Sequence, residues 1–397
     1  SIQNSNGIIL IHYKIYRNVS ELPKGWNALC SHDIFLRTGF LKGLESSLPT
    51  NMSGYYIGIF KGENLVGITI VQRVQMYADD IFRKSSRNIL KQFAKQLVSK
   101  IVKGNALVVG NLMHTGQHGI YYNEKEISQN DYLSQLEKAL DDLILEIRTK
   151  FNKKVRIILF KDYFEDDIIH ENTSFFKANN LYKAQVQPNM VFTIPETWKK
   201  TEDYISAFNK KYRRRYRIAR KKASNLSYKE LDTEYLKDYS KAIFSLYETV
   251  SDNARVNSFK LQEQHFYQLK VHLKDDFKVI GVFLKEELVG FYTLILNDKT
   301  LETYFLGYNK ELQHQYQMYL NMLFNMASFG IENGFKTIVY ARTAMEIKSS
   351  IGAKPKAMSI YLNHTNSFIA NTVLKGIVKY MNPMRKWEER YPFDNKK

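Results

Sequence analysis

Between residues 203 and 223 apolar side chains recur at spacings of four and three, at Phe208, Tyr212, Tyr216, Ala219 and Ala223, while nine of the thirteen residues from 210 to 222 are Lys or Arg. The pattern predicts an amphipathic helix over 203–222 with one narrow apolar stripe in a cationic sleeve. A basic run is usually a solvated face. Here arginine dominates, and its planar fork suits phosphate bidentately, so an anionic ligand gains weight.

Elsewhere the periodicity changes. Residues 8–16 are β-branched and aromatic and predict a strand; 20–30 and 35–47 predict two short helices, the first with Ser20 as N-cap. Tyr55–Phe60 and Leu65–Gln72 predict strands joined through a Gly-containing turn, hence a hairpin.

That hairpin recurs. Residues 57–68 read IGIFKGENLVGI and residues 280–291 read IGVFLKEELVGF, identical at seven of twelve positions and 223 residues apart. Downstream, 106–111 parallels 303–309, 153–160 parallels 335–342, and 189–194 parallels 357–362. The chain therefore reads as two copies of one α/β unit, each a mixed sheet flanked by helices. The expected domains are 1–195, 196–365 preceded by the basic helix, and a C-terminal helical segment 366–397. Duplication also predicts a ligand cleft between the copies.

Three segments lie outside the repeat. Residues 77–103 carry Ile89, Phe93, Leu97 and Ile101 at spacings of four opposite Lys91, Lys95, Lys100 and Lys103, which predicts an inserted basic amphipathic helix. The second is 203–222. The third begins at Asn366, where FIANTVLKGIVKYM predicts a closing helix and WEERYPF is expected to be poorly specified.

A formal net charge of +18 favours anionic partners such as nucleic acid, phosphorylated cofactors or an acidic membrane surface. Cys30 is the only cysteine, so no intrachain disulfide forms. No His, Cys or acidic spacing suggests a metal, and no apolar run reaches the length of a membrane span. The expected location is the cytoplasm, with contact at the inner face of the membrane.

Nucleophile elbows and glycine-rich phosphate loops are absent, which argues against hydride transfer and nucleotide hydrolysis. The remaining polar candidates lie in the second copy. Glu302, Tyr304 and Tyr308 fall near a strand end, and Gln315, Tyr316 and Tyr319 at the expected entry of a long helix. Arg342, Glu346 and Lys348 follow a buried strand, where α/β proteins place ligands. Core tyrosines and a surface ion pair of Glu346 with Lys348 or Arg342 are the plain alternatives. The first copy is acidic at the matching stretch and lacks this pattern.

Trp198–Ile205 (W-x-x-x-x-D-Y-I), Asn209–Lys222, Gly290–Asn309 and Tyr340–Pro355 (YARTAMEIKSSIGAKP) together resemble the Fem-type and BioF2-like members of the GNAT acyltransferase superfamily, which are tandem GNAT-like proteins. The resemblance implies transfer of an acyl or aminoacyl group to an amine in the second domain, at the groove between domains, in cell-envelope or lipid/peptidoglycan biosynthesis. Acyl-CoA or aminoacyl-tRNA would be the co-substrate, with no tightly bound cofactor. The pyrophosphate loop of ordinary GNAT enzymes would fall at 309–316, but NKELQHQY has no glycine, which puts the standard acetyl-CoA mode in question. By position, Glu302 or Glu346 would serve as base, and Tyr304 or Tyr308 as oxyanion donor or acid. Arg342 and Lys348 would bind the acceptor; Arg213, Arg214 and Arg217, with Tyr316 and Tyr319, would hold the donor, so that the basic helix faces a cofactor or tRNA phosphate and not duplex DNA read for sequence. The alternative is a non-catalytic RNA- or membrane-binding protein using the duplicated fold as scaffold.

Overall fold

The computed structural model describes residues 7–76, 96, 99–101, 103–251, 259–365, 367–381 and 386–394. Most of the inserted helix expected at 77–103 lies outside them. The chain packs as two compact units: unit 1 comprises 1–186, 255–261 and 357–384, and unit 2 comprises 187–254, 262–356 and 385–397.

In unit 1, β1 (Ile11–Tyr16), β2 (Met52–Lys61), β3 (Asn64–Met76) and β4 (Gly104–Val109) form antiparallel neighbours, with β5 (Ile120–Tyr122) beside β3. Ser20 does not cap a helix: it sits inside a 3-10 turn, Val19–Glu21, because Pro23 and Gly25 delay the helical turn to Trp26–Leu29. Helix α1 (Gln129–Phe151) starts where Ser128 accepts the Asp131 N–H and stops at Asn152, whose φ is 51°. Its Leu133, Leu136, Leu140, Leu143 and Ile147 lay one stripe on Ile57, Ile59, Val109 and Phe160 of the sheet. β6 (Val155–Phe164) runs parallel to β4, and β7 (Tyr182–Thr193) follows.

Unit 2 begins within β7. The basic stretch is two helices, α2 (Thr201–Ala207) and α3 (Lys210–Lys222), not one. The chain turns extended at Phe208, and Asn209 accepts the Tyr212 N–H as the N-cap of α3. Phe208, Tyr212, Ala219 and Ala223 are buried, as the stripe predicts. Then come β8 (Leu226–Glu230), α4 (His265–Leu273), the hairpin β9 (Phe277–Leu284) and β10 (Glu287–Asn297), β11 (Thr300–Tyr308), α5 (Lys310–Tyr316), α6 (Met318–Glu332), β12 (Thr337–Ala341) and α7 (Met345–Ser349). The helix expected to start at Gln315 instead starts at Lys310, ends at Tyr316, and resumes after Gln317 in the left-handed region. β13 (Lys354–His364) and α8 (Phe368–Met381) end the regular structure.

The two units repeat one plan. Each hairpin has a two-residue turn at the same repeat position, Gly62–Glu63 and Lys285–Glu286, with φ of 63° at Gly62 and 56° at Lys285. Each unit has a parallel pair, β4 with β6 and β11 with β12, flanked by an antiparallel strand from the other copy of the repeat. In unit 1 that strand is β13, on β6; in unit 2 it is β7, on β12.

The segment WEERYPF is well specified. Phe393 lies within 6.3 Å of the rings of Phe192, Trp198, Tyr204 and Phe208, and the Pro392 carbonyl accepts the Asn209 N–H at 2.9 Å. Its aromatics complete the core beneath the break between α2 and α3, which explains why so polar a segment is ordered.

Candidate active site

β11 is shaped by its neighbours before it reaches the site. Against β10, the single residue Thr293 stands opposite Tyr304 and Phe305, a bulge pinned by the Thr293 hydroxyl donating to the Phe305 carbonyl at 2.5 Å. Bulges bend a strand and re-aim its side chains. Farther on, a Cβ at Gly307 would stand 2.3 Å from the Leu246 carbonyl oxygen, so glycine is required for the helix Ser240–Ser251 to approach.

On its other edge β11 runs parallel to β12 through only three pairs, Thr300 with Thr337, Leu301 with Ile338 and Glu302 with Val339. A last bond joins the Thr303 hydroxyl to the Val339 carbonyl at 2.9 Å. Beyond it β11 continues to Tyr308 and β12 ends at Ala341, so the strands part. Glu302, 4% exposed, is buried at the fork.

The backbone leaving β12 is strained. Ala341, Thr343 and Ala344 have φ of 61°, 94° and 46°, a region that non-glycine residues enter rarely and at a cost of roughly 1–3 kcal/mol each. Strain of this kind persists where surrounding packing enforces it, commonly at functional sites. The strained turn delivers α7, and with it Lys348, which is 5% exposed. Burial lowers the Lys348 ammonium to about 7, so the amine is largely neutral at slightly alkaline pH.

The other predicted residues divide. The Tyr304 hydroxyl meets Nε2 of the buried His265 on α4 at 2.9 Å, and burial raises its pKa well above the ordinary phenol value. It is thus a neutral phenol held by a histidine that the sequence pattern does not single out. Tyr308 and Tyr319 face each other with ring centroids 6.2 Å apart, and burial raises both. Tyr316 closes α5 and packs half-buried on the unit 2 core. Arg342 is half-buried in the strained turn.

Glu346 makes neither of the ion pairs considered for it. It pairs with Arg390 at 3.2 Å and accepts the Glu388 N–H at 3.2 Å, so it fastens the C-terminal segment to α7. Arg213 is likewise occupied: its guanidinium donates to the carbonyls of Ser206 and Phe208 at 3.0 and 2.8 Å, closing the end of α2. Arg214 and Arg217 are exposed, in line with Lys210 and Lys221 along α3. Arg220 turns inward and donates to Asn321 and Asn325 of α6 at 3.2 and 2.7 Å, fixing α3 against the helix that follows β11.

Unit 1 holds a polar cluster that the sequence pattern does not disclose. Near the ends of β4 and β6, Lys161 donates to Asp162 and to the His114 carbonyl, each at 2.6 Å, and Asp162 has φ of 58°. His118 meets Asp33 at 2.5 Å. Neither ring nitrogen of the buried His114 has a hydrogen-bond partner, and its ring packs 4.1 Å from that of Phe35. Among the described residues, no group of three or more His, Cys, Asp or Glu is arranged to hold a metal ion.

Residues 210–349 match the family model described as an acetyltransferase (GNAT) domain. No curated protein matches the sequence. Among solved structures, the chain is similar to FemX at 12% identity, with a TM-score of 0.51 over 92% of this chain and 100% of that one. It is also similar to a tandem GNAT protein from the clavulanic acid biosynthesis pathway at 9% identity, with a TM-score of 0.52 over 90% of this chain and 99% of that one. At such identities the likeness is one of fold. Residues 210–349, almost wholly in unit 2, thus match a GNAT acetyltransferase domain, and along nearly the whole chain the fold is that of tandem GNAT proteins.

Proposed function

We propose that the protein transfers an acyl or aminoacyl group from an activated ester to an amine at the fork of β11 and β12 in unit 2. The parting of that parallel pair immediately after the buried Glu302 is the observation that carries the proposal. Past the fork the backbone of β11 is no longer laddered to β12, which leaves an edge able to take an extended donor by strand-like hydrogen bonds.

An acceptor amine must be neutral to attack, and the tetrahedral intermediate must shed a proton and carry a negative oxygen. Glu302 receives the amine proton directly or through water. Neutral Lys348 is the alternative acceptor, and once protonated it stabilises the developing oxyanion. Tyr304, un-ionised and oriented by His265, can donate to the leaving group.

For the donor, the exposed Lys210, Arg214, Arg217 and Lys221 favour a carrier with a phosphate backbone, and 309–316 has no glycine loop for the CoA pyrophosphate. Aminoacyl-tRNA is therefore the preferred donor and acyl-CoA the competing one. Stabilisation by ligand separates them, because only a ligand bound to the native state raises the unfolding temperature. Aminoacyl-tRNA should stabilise the wild type and not Arg214→Glu/Arg217→Glu. Stabilisation by acyl-CoA alone, unaffected by that charge reversal, would overturn the donor assignment.

A further inference from the structure

At the N-terminal ends of β4 and β6, three chain segments of unit 1 meet. The Arg156 guanidinium donates to the carbonyls of Lys100 and Lys103 at 3.3 and 3.1 Å. The Thr365 N–H bonds to the Arg156 carbonyl at 2.8 Å, and the His364 ring to the Ile101 carbonyl at 3.0 Å. The start of β6, the end of the inserted segment and the end of β13, which leads into α8, are thereby held on one edge.

The described residues of that edge are strongly cationic. Lys100, Lys103, Arg148, Lys153, Lys154 and Lys375 are all exposed, and no aspartate or glutamate occurs in 96–103, 147–156 or 362–381. Beside these bases two large apolar side chains stand in water: Phe368 is 86% exposed and Ile369 75%. Isolated exposed apolar residues are ordinary; adjacent ones, on an acid-free basic edge, need a reason. α8 shows the division along its length, with Leu374 buried against Ala106, Ile157 and Met358 of the sheet while Phe368 and Ile369 touch solvent at its first turn.

We infer that this edge of unit 1 docks on an anionic lipid bilayer, with Phe368 and Ile369 entering the headgroup–acyl boundary and the surrounding lysines and arginines facing lipid phosphates. Apolar anchors ringed by cations are what an interfacial membrane site requires. A nucleic-acid groove would use the same cations with stacking aromatics or polar base-reading groups, for which an exposed Ile369 and a basic rim built mainly of lysine are a poorer match. The inference stands apart from the acyl-transfer site, since it uses no residue of unit 2.

Co-sedimentation of the full chain with phosphatidylcholine vesicles, with and without phosphatidylglycerol, tests it. Binding should require phosphatidylglycerol, weaken with salt, and fall by about tenfold or more in Phe368→Ser/Ile369→Ser. Lys153→Glu/Lys154→Glu should cost a similar factor through charge alone. All four positions are exposed, so the melting temperatures should match the wild type, which separates lost docking from lost fold. Equal binding to neutral vesicles, undiminished binding by the Phe368/Ile369 variant, or failure to bind vesicles while RNA is bound through Lys153 and Lys154, would overturn the inference.

Discussion

At the scale of single residues, Lys348 is where sequence and structure part most. A lysine after a strand reads as a solvated cation, since lysines are seldom fully buried. Its burial follows from the strained turn at 341–344, and no local pattern announces three left-handed non-glycine residues. Two outcomes follow from a folded-state value of about 7 against an unfolded value of about 10.4. Between those values the unfolded chain holds more protons, so stability rises with pH across the window. At pH 7.5, Lys348→Met should therefore raise stability to urea by about 1–3 kcal/mol, and it should remove any rise in transfer rate through pH 7. A destabilised variant with an unchanged pH–rate profile would show that the lysine is merely structural.

His114 gives a second residue-scale test. Burial, with the neighbouring His118 and Lys161, holds its pKa well below the ordinary histidine value, and Asp33 on His118 and Asp162 on Lys161 are the nearby acids. The folded state keeps His114 neutral while the unfolded chain protonates it below about 6.5, so stability is lost as pH falls through that value. In thermal melts from pH 7.5 to 5, His114→Leu should flatten this loss. A slope as steep as that of the wild type would assign it to other groups.

At the scale of elements, the hairpins are legible because the same residue pattern and turn recur at a fixed offset. The stripe of α3 was equally plain. The break before it is marked only by Asn209, a strong N-cap residue, and the 3.6-residue period continuing through Phe208 conceals it. The packing of 387–393 is hidden because polar residues surround its three aromatics. Phe393→Ala should cost about 3–5 kcal/mol in denaturant melts, and Arg213→Ala, which frees two carbonyls at the end of α2, about 1–3 kcal/mol. A loss below about 1 kcal/mol at Phe393 would mean that the segment does not contribute to the core. The fork itself could not be foreseen, because a strand's sequence does not say where its neighbour leaves it.

At the scale of the molecule, the duplication predicts two similar units but not which strand pairs with β6 and which with β12. β7 and β13 have similar buried patterns, and burial alone does not choose between them. The exchange makes unit 1 depend on residues from the far end of the chain. A chain ending at residue 356 should lose hydrogen-exchange protection in β6, and full protection there would show that unit 1 completes itself.

The central claim, acyl transfer at the β11–β12 fork, is tested most directly by following a labelled group. The wild type is incubated with charged tRNA carrying labelled amino acids, or with labelled acyl-CoA, and amine acceptors, beside Glu302→Gln. The account predicts an amide-linked product whose rate of formation falls by roughly 10²–10⁴ in the variant while its melting temperature is retained. Product formed at the wild-type rate by folded Glu302→Gln would contradict it.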